Sequence, residues 1–506
     1  MIKATPTKRP ASSVRSIYFF IERNIKTIAG LVIGLLLMKV LSLKEYGTYN
    51  LFLGSLFYLG FMSSIGVMTS YTKLIPETLY KNGFAKLRWL VNFTACFRAL
   101  GLLVAIPACY YIWEKQPIFF DFGEYSNHFL LFAIGAFFLL QSFVFKKVLE
   151  FAYLQKYLIT TDLVFTLSKL GLIVFVLFGG YGFREVLLVD LVCNFGLFCL
   201  LFLSYVTNFS SSEAHNGQEG EFPKSKLVRG LFQENKTYSL NEAGSALLSY
   251  STDFFIIAYF LGPIALGYYA FSVRISEFIS QLFPFKKVRN MITPTLMARF
   301  TESNDKKEIN HLFQILLKIS LFCLLPIITV ITIWGENIIA NIIDAKFLNA
   351  YETMVILLLY TLISTLPFSL PLQIMEKSKA IIIGKLILFG NILLSIAFVQ
   401  LLGFMGAAIA ALTTILLKKG YEFIMARKHA SISLPWMGLG QIFINCLILG
   451  VIAFLAKPYI TGLLTFAFFS ALLAGGYLAL SKLNNAFHQQ ESRLLKQATL
   501  VANYVI

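Results

Sequence analysis

The sequence predicts an all-α membrane protein that crosses the bilayer about fourteen times. Two observations predict this fold class: the composition and the length of the apolar runs. Of the 506 residues, 57% are hydrophobic and only 14% are charged, whereas soluble domains carry roughly 25% charged residues. Apolar runs of about 20 residues, the length needed to cross a hydrocarbon core of about 30 Å, recur from one end of the chain to the other.

Each predicted span is one such apolar run, ended by charged residues or by a turn that contains Gly or Pro. In chain order, the spans are placed at about residues 18–41, 47–71, 89–112, 127–145, 157–179, 183–205, 240–262, 265–285, 312–334, 351–374, 380–401, 403–417, 435–456 and 459–481.

The distribution of Lys and Arg sets the orientation of the spans. Most of the 43 basic residues lie in alternate connections. The connections between those hold only Lys44, Lys115, Arg184, Lys346 and Lys457. By the positive-inside rule, the basic connections and both termini face the cytoplasm. The net charge of +17 therefore reflects membrane topology, and we expect no nucleic-acid partner.

A repeated phrase predicts that the chain contains two similar halves. The pattern Leu, five residues, Gly, one residue, Tyr occurs at residues 41–49 (LSLKEYGTY) and again at residues 261–269 (LGPIALGYY). Both copies lie in turns at the outer face, six spans apart, so the repeats run parallel. The predicted divisions are a six-helix lobe at 1–206, a cytoplasmic linker at 207–237, a second six-helix lobe at 238–428, and a C-terminal helix pair with its tail at 429–506.

Several function classes lack their signatures in this chain. No GxxxxGK[ST] motif occurs, so we expect no built-in nucleotide-driven motor. The five His lie in connections or at span edges, and the six Cys lie in apolar spans without CxxC spacing, which is typical of small buried hydrophobic residues rather than metal ligands. We therefore expect a transporter without catalytic residues, metal or cofactor, driven by a proton or sodium gradient.

Six charged residues lie about 8–14 residues inside their spans, too deep to reach the surface easily. They are Arg98, Lys169, Asp190, Asp253, Arg274 and Glu277. On insertion scales a charge at the bilayer midplane costs about 2.5–3.5 kcal/mol, so each requires a partner or a hydrated cavity. Arg98, Lys169 and Asp190 are predicted to brace the first half by charge pairing or, as the alternative, to line a hydrated lumen.

Arg274 and Glu277 lie three residues apart on one face of the eighth span and can pair with each other. One interpretation is a structural ion pair. The other is a hydrated lumen in which Arg274 binds an anionic head group, because a guanidinium fits phosphate with two parallel hydrogen bonds. Asp253, on the preceding span, either neutralises Arg274 or takes up a proton during transport.

The first span carries charged residues at its cytoplasmic end, among them Arg15, Glu22, Arg23 and Lys26. The ordinary interpretation is anchoring at the cytoplasmic surface. The alternative is that Arg23 and Lys26 form a positively charged mouth that receives a lipid-linked phosphate from the inner leaflet.

Four stretches of sequence carry a family resemblance. They are residues 23–77, which contain LSLKEYGTYNLFLGSLFYLGFMSSIGVMTSY; residues 252–283, TDFFIIAYFLGPIALGYYAFSVRISEFISQLF; and the late segments WGENIIANIIDAKFLNAYETM and GFMGAAIAALTT. They resemble the bacterial polysaccharide flippases, the Wzx-like O-antigen translocases of the multidrug/oligosaccharidyl-lipid/polysaccharide exporter (MOP) superfamily.

The resemblance implies two six-helix lobes in a V-shape around a cationic cavity in the cell (inner) membrane. It implies alternating access that moves undecaprenyl-pyrophosphate-linked oligosaccharide from the inner to the outer leaflet. Arg274 falls where the family carries basic cavity residues, whereas the second span has none until Lys73. The expected partners are the lipid-linked oligosaccharide, membrane lipids and the polysaccharide polymerase machinery, and we expect a monomer.

Three alternatives to this function remain open from the sequence. A multidrug or cation antiporter of the related branch would favour an acidic cavity, but the six deep charges are balanced, three basic and three acidic. A flippase for the peptidoglycan precursor would use the same mechanism with another head group. A membrane glycan polymerase is disfavoured by the short outer loops.

Overall fold

Helices account for nearly all of the structure. The computed structural model describes residues 12–79, 84–115, 126–152, 154–209, 250–282 and 306–484, together with residues 228, 229, 231, 232 and 239. Within this part of the chain no β-strand is present. The prediction of an all-α multi-pass membrane protein is confirmed.

The first part of the chain forms seven helices. They are α1 (Ser12–Val40), α2 (Leu43–Ser64), α3 (Val67–Glu77), α4 (Phe84–Lys115), α5 (Ser126–Phe151), α6 (Gln155–Phe178) and α7 (Phe183–Phe209). The predicted linker, residues 207–237, lies mostly outside the described residues.

The second part continues with longer and more irregular helices. They are α8 (Tyr250–Leu282), α9 (Lys306–Ile338), α10 (Tyr351–Thr365), α11 (Ser369–Ile374), α12 (Ser378–Leu402), α13 (Phe404–Ala430), α14 (Trp436–Ala456) and α15 (Leu463–Leu483). A π-helix and a 3-10 helix join α9 to α10, at Ile339–Asp344 and Ala345–Ala350.

Each of the fourteen predicted spans overlaps a helix. Among the described residues, nine helical stretches are long and apolar enough to cross a membrane, and a tenth if α2 and α3 are counted as one broken span. Two of the nine stretches each include parts of two predicted spans: Tyr250–Gln281 overlaps the seventh and eighth, and Ile309–Ile374 contains the ninth and tenth. Helices α1 and α13 overlap the first and twelfth predicted spans, and neither is among the nine stretches.

The second predicted span is bent. Helix α2 begins at a capping box, in which Ser42 Oγ accepts from the Glu45 backbone N–H at 3.3 Å and Glu45 Oε2 accepts from the Ser42 N–H at 2.8 Å. The helix ends at Ile65 and Gly66, whose φ angles of 42° and 81° lie in the left-handed region. Such residues terminate a helix, and α3 leaves at an angle of 66° to α2.

The two copies of the repeated phrase pack against each other. A Cβ at Gly47 would overlap the carbonyl oxygen of Pro263, and a Cβ at Gly267 would lie 2.5 Å from the carbonyl oxygen of Leu43. The sequence offset of 220 relates Leu43 to Pro263 and Gly47 to Gly267. In each copy, the repeated Gly therefore contacts the residue that lies four positions before the repeated Gly of the other copy. Because only glycine allows two helix backbones to approach this closely, the repeated Gly is a packing residue.

Helix α8 is interrupted at Gly262, between the seventh and eighth predicted spans. The φ and ψ of Gly262 are 79° and 179°, which are not helical values. Few residues other than glycine adopt this conformation. Pro263 then begins the next helical segment, where the missing N–H of proline costs no helical hydrogen bond.

Contacts divide the chain into two units. The N-terminal unit comprises Glu22–Gly267, and the C-terminal unit comprises Tyr268–Ile506 together with Met1–Ile21. The first segment of α8 therefore belongs to the N-terminal unit, where the hydroxyls of Tyr58 and Thr252 are hydrogen-bonded at 2.8 Å. The predicted second lobe begins earlier, at residue 238.

Each unit has its own buried core. In the N-terminal unit, side chains of α3, α4, α5 and α7 form it, and Tyr71 donates from its hydroxyl to the Val144 carbonyl at 3.0 Å. In the C-terminal unit, the core includes α9, α13, α14 and α15. The Trp334 indole N–H of α9 donates to the Ala453 carbonyl of α14 at 2.7 Å, so the C-terminal helix pair is packed into this unit.

The glycine contact predicts a large effect of a single methyl group. In Gly47→Ala, the new Cβ collides with the Pro263 carbonyl, and we expect a loss of about 1–3 kcal/mol of stability from overpacking. The measurement is the melting temperature of the detergent-purified protein, followed by size-exclusion chromatography with fluorescence detection.

The matched control for Gly47→Ala is Gly34→Ala on α1, where no heavy atom lies within 4 Å of the new Cβ. Alanine favours a helix over glycine by about 1 kcal/mol, so this variant should melt at or above the wild-type temperature. Equal melting of the two variants would contradict the packing role of Gly47.

Candidate functional site

Charged side chains in the described helices include three clusters, each around a buried carboxylate, and the exposed pair of Arg274 and Glu277. Each cluster is named after its carboxylate. The Asp190 cluster contains Tyr49, Lys169 and Asp190; the Asp162 cluster contains Lys26, Lys146 and Asp162; and the Glu422 cluster contains Lys418, Lys419 and Glu422.

The Asp190 cluster joins three helices of the N-terminal unit. Lys169 Nζ of α6 lies 2.6 Å from Asp190 Oδ1 of α7. The Tyr49 hydroxyl of α2 donates to Asp190 Oδ2 at 2.8 Å. One cation meets one carboxylate, and the carboxylate is buried. A neutral, enclosed arrangement of this kind fixes helices relative to one another.

The Asp162 cluster joins α1, α5 and α6 and carries a different charge balance. Lys146 Nζ lies 2.9 Å from Asp162 Oδ1 and 2.7 Å from Oδ2. Lys26 Nζ lies 2.8 Å from the same Oδ2. Two ammonium groups thus share one carboxylate. Asp162 is buried, whereas the side chains of Lys26 and Lys146 are 45% and 27% exposed.

Helix α6 carries both of these clusters on one face. Asp162 and Lys169 are seven residues apart, which is about two helical turns or roughly 10 Å. Thr166, between them, is buried and donates its hydroxyl to the Asp162 carbonyl at 2.7 Å. The buried residues in the first half of α6, Thr161, Asp162 and Thr166, are therefore polar, whereas those in its second half, Ile173 and Val176, are apolar.

The Glu422 cluster lies at a break in the tenth predicted span. Lys419 Nζ donates to the Leu366 carbonyl at 2.6 Å and lies 3.4 Å from Glu422 Oε2. Lys418 Nζ lies 3.8 Å from Glu422 Oε1. Leu366 precedes Pro367, where α10 stops before α11 begins. Lys419 therefore satisfies a carbonyl at the end of α10, as such a break inside a membrane requires.

Arg274 and Glu277 form an exposed pair on the second segment of α8. Arg274 Nη1 lies 3.6 Å from Glu277 Oε2, and the two side chains are 44% and 39% exposed. The distance is that of a loose ion pair. The exposed part of the Arg274 side chain can be reached by a ligand.

Arg98 and Asp253 are deeply buried in the N-terminal unit. Arg98 of α4 is 5% exposed and its guanidinium lies beside Gly60 of α2. Asp253, on the first segment of α8, is 2% exposed. The predicted alternatives for these two residues, bracing or lumen exposure, stay predictions. The side chain of Arg23 lies outside the described residues.

Sequence reasoning missed the partners of the predicted charges. Lys146 was expected in a connection and Asp162 near a span edge, so neither was a candidate. The i, i+7 spacing of Asp162 and Lys169 was a usable signal for one shared face. Likewise, Glu422 follows Lys419 by three residues, but the predicted twelfth span ended at residue 417 and left both outside the membrane.

The chain resembles known proteins in sequence and in structure. A model of the family described as polysaccharide biosynthesis protein matches residues 127–352. No curated protein matches the chain. Among solved structures, the lipid II flippase MurJ in its inward closed conformation is similar with a TM-score of 0.63 and 16% identity, covering 93% of this chain and 99% of that one.

Two further solved structures have the same architecture. One is an inward-facing multidrug resistance MATE family transporter of the MOP superfamily, with a TM-score of 0.60, 11% identity and coverage of 82% of this chain and 98% of that one. The other is a MOP superfamily transporter from Pyrococcus furiosus, with a TM-score of 0.55, 13% identity and coverage of 83% of this chain and 95% of that one. The chain has the fold of the MOP superfamily. The predicted resemblance is confirmed by this fold and by the family model.

The Asp190 cluster of this MOP-fold protein predicts a double-mutant cycle. Lys169→Met leaves a buried carboxylate without its cation, and we expect a loss of about 3–5 kcal/mol of stability. The double variant Lys169→Met/Asp190→Leu removes both charges and should recover most of that loss. Thermal and denaturant unfolding in detergent are the measurements.

The control for this cycle is Lys147→Met, which breaks the exposed Lys147–Glu150 pair of α5. An exposed pair contributes about 0–1 kcal/mol, so this variant should unfold like the wild type. If the double variant is as unstable as Lys169→Met alone, the cluster does not act as a neutral brace.

Proposed function

We propose that this protein is a transporter that flips undecaprenyl-pyrophosphate-linked oligosaccharide from the inner to the outer leaflet of the cytoplasmic membrane. The product serves surface polysaccharide biosynthesis, such as O-antigen synthesis. The observation that supports this proposal most is the match to the polysaccharide biosynthesis protein model over residues 127–352. The MOP fold over nearly the whole chain supports a transporter rather than a glycan polymerase.

The charge balance of the Asp162 cluster supports an anionic substrate. This cluster contains two partly exposed lysines and one carboxylate. Excess positive charge in a low-dielectric region attracts anions and repels cations. A pyrophosphate-linked lipid suits such a protein better than the cationic drugs of the antiporter alternative.

Arg274 is the residue that we propose as the principal phosphate contact of the C-terminal unit. Its exposed guanidinium offers a planar set of donors to phosphate oxygens. Arg98, Arg23 and Lys26 are proposed as further substrate-binding residues. Asp253 is proposed, together with Glu277, Lys169 and Asp190, to couple transport to a proton or sodium gradient or to neutralise the basic residues.

A peptidoglycan-precursor flippase is the second candidate. The similarity to the lipid II flippase MurJ covers 93% of this chain. Both candidate substrates carry a lipid-linked phosphate group, so the basic residues suit either of them. The sugar and its attached groups distinguish the two candidates, and only a transport measurement with each substrate separates them.

The proposed function predicts the outcome of a deletion experiment. Deletion of the gene should abolish surface polysaccharide and cause the lipid-linked oligosaccharide to accumulate in the inner leaflet. Arg274→Ala should complement poorly, with flipping reduced about tenfold or more, because it removes a charge-assisted contact to phosphate. Arg274→Lys retains the charge but lacks the two parallel hydrogen bonds, so intermediate activity is expected.

The control is Lys147→Gln, which removes one positive charge from an exposed pair outside the proposed site and should complement like the wild type. Surface polysaccharide that persists after deletion would disprove the proposed function. Rescue of a strain depleted of its lipid II flippase would favour the second candidate. Full complementation by Arg274→Ala would remove only the phosphate role of that residue.

A further inference from the structure

The Asp162 cluster contains a positive charge that its own carboxylate does not neutralise. Asp162 Oδ2 accepts from Lys26 Nζ at 2.8 Å and from Lys146 Nζ at 2.7 Å. Two ammonium groups and one carboxylate leave a net charge of +1. Inside a membrane protein, such an excess requires either water or a second anion.

Neither of the other two clusters offers this charge to a ligand. The Asp190 cluster is neutral, with one lysine for one carboxylate. The Glu422 cluster also has two lysines, but all three of its side chains are at most 20% exposed and Lys419 already donates to a carbonyl. In the Asp162 cluster, by contrast, Lys26 is nearly half exposed and Lys146 is about a quarter exposed.

The depth of the cluster matches the inner leaflet. Asp162 is the eighth residue of α6, and Lys146 lies five residues before the end of α5. At 1.5 Å per residue, these positions are roughly 8–11 Å from the helix ends that the positive-inside rule assigns to the cytoplasm. A phosphate attached to a lipid in the inner leaflet lies at the cytoplasmic surface of the membrane, a short distance from the cluster.

We propose that Lys26 and Lys146 form a phosphoryl-binding site, and that Asp162 is a built-in competing anion that the ligand displaces. The ligand class is a diphosphate, and the site would receive the diphosphate of the lipid-linked substrate on the cytoplasmic side. This inference rests on the proposed function and adds Lys146 and Asp162 to it.

The chemistry of the groups explains why a carboxylate is present at a phosphate site. Each ammonium has three N–H donors and no acceptor, so a diphosphate can replace both carboxylate oxygens and bring more negative charge. In the empty site, Asp162 holds the two lysines in position. During transport, it competes with the phosphate for them, which lowers affinity and allows release. A site with two lysines and no internal anion would bind more tightly and release more slowly.

The first test measures binding of inorganic diphosphate to the purified full-length protein in phosphatidylcholine nanodiscs, by isothermal titration calorimetry. Asp162→Asn removes the competing anion and should tighten binding by about tenfold. Lys146→Gln and Lys26→Gln each remove a donor and should weaken it by about tenfold. A purely structural role for Asp162 predicts the opposite sign, with weaker binding in Asp162→Asn.

The matched control is Lys147→Gln, which removes the same charge at the next position of α5. Lys147 pairs with Glu150 rather than with Asp162, so binding should stay within about twofold of wild type. Melting temperature and size-exclusion profile are measured for every variant. If Asp162→Asn does not fold, Lys26→Gln decides the question, because Lys26 lies on the exposed side of the cluster. Unchanged diphosphate binding in Lys26→Gln and Lys146→Gln overturns the proposal.

The second test identifies the source of the phosphate. Undecaprenyl diphosphate and phosphatidylglycerol are each added to the nanodiscs, and displacement of diphosphate is measured. Displacement by undecaprenyl diphosphate at much lower amounts than phosphatidylglycerol supports a substrate site. Equal displacement by both lipids identifies a site for bilayer head groups and overturns the assignment to the substrate.

A transport assay separates this proposal from the proposed function. In proteoliposomes with lipid-linked oligosaccharide, Asp162→Asn should bind substrate but flip it about tenfold more slowly, because release is impaired. If the wild type does not flip this substrate, the proposed function is wrong. The diphosphate site is tested separately, by the binding measurements. If the wild type flips it and Asp162→Asn flips equally fast, the proposed release role of Asp162 is wrong.

Discussion

A charge in the low-dielectric interior of a membrane protein must find a partner, and this constraint governs the polar structure of the chain. An isolated charge there costs several kcal/mol, so buried carboxylates and lysines gather in clusters that cross between helices. Lys169 and Asp190 join α6 to α7 in this way, and Lys26 and Asp162 join α1 to α6. The clusters therefore add fixed polar contacts between helices whose cores are apolar.

The ratio of cations to anions and the exposure of the cations together separate structural clusters from those that attract a ligand. A one-to-one pair is satisfied within the protein and is best suited to hold helices together. Two lysines around a single carboxylate leave a charge that the protein itself does not cancel, as at Asp162 and Glu422. At Glu422 the excess is enclosed and serves a backbone carbonyl, whereas at Asp162 it reaches the surface. Two clusters with the same ratio of lysines to carboxylates thus have different roles, and the exposure of their lysines decides which role each has.

The repeated phrase has a different physical role. Its glycines, Gly47 and Gly267, lie where the two copies pack on each other's backbone, at Pro263 and Leu43. Helices in a membrane gain little from the hydrophobic effect when they associate, so close contact must come from small residues. The repeated Gly is therefore explained by packing, whereas the role in substrate binding of a charge that differs between the copies, Arg274, is a proposal.

The sequence by itself determined the fold class, because apolar length and charge position are properties of single segments, and it left the count of fourteen spans and the duplication as predictions. It also identified Lys169, Asp190, Arg274 and Glu277 as deep charges. Only the tertiary structure decided which charges meet: Asp162 looked like an edge residue until α1 and α5 brought two lysines to it. Pairing across helices depends on their packing and rotation, which no single segment specifies, so the sequence predicted the charges but not the clusters that they form.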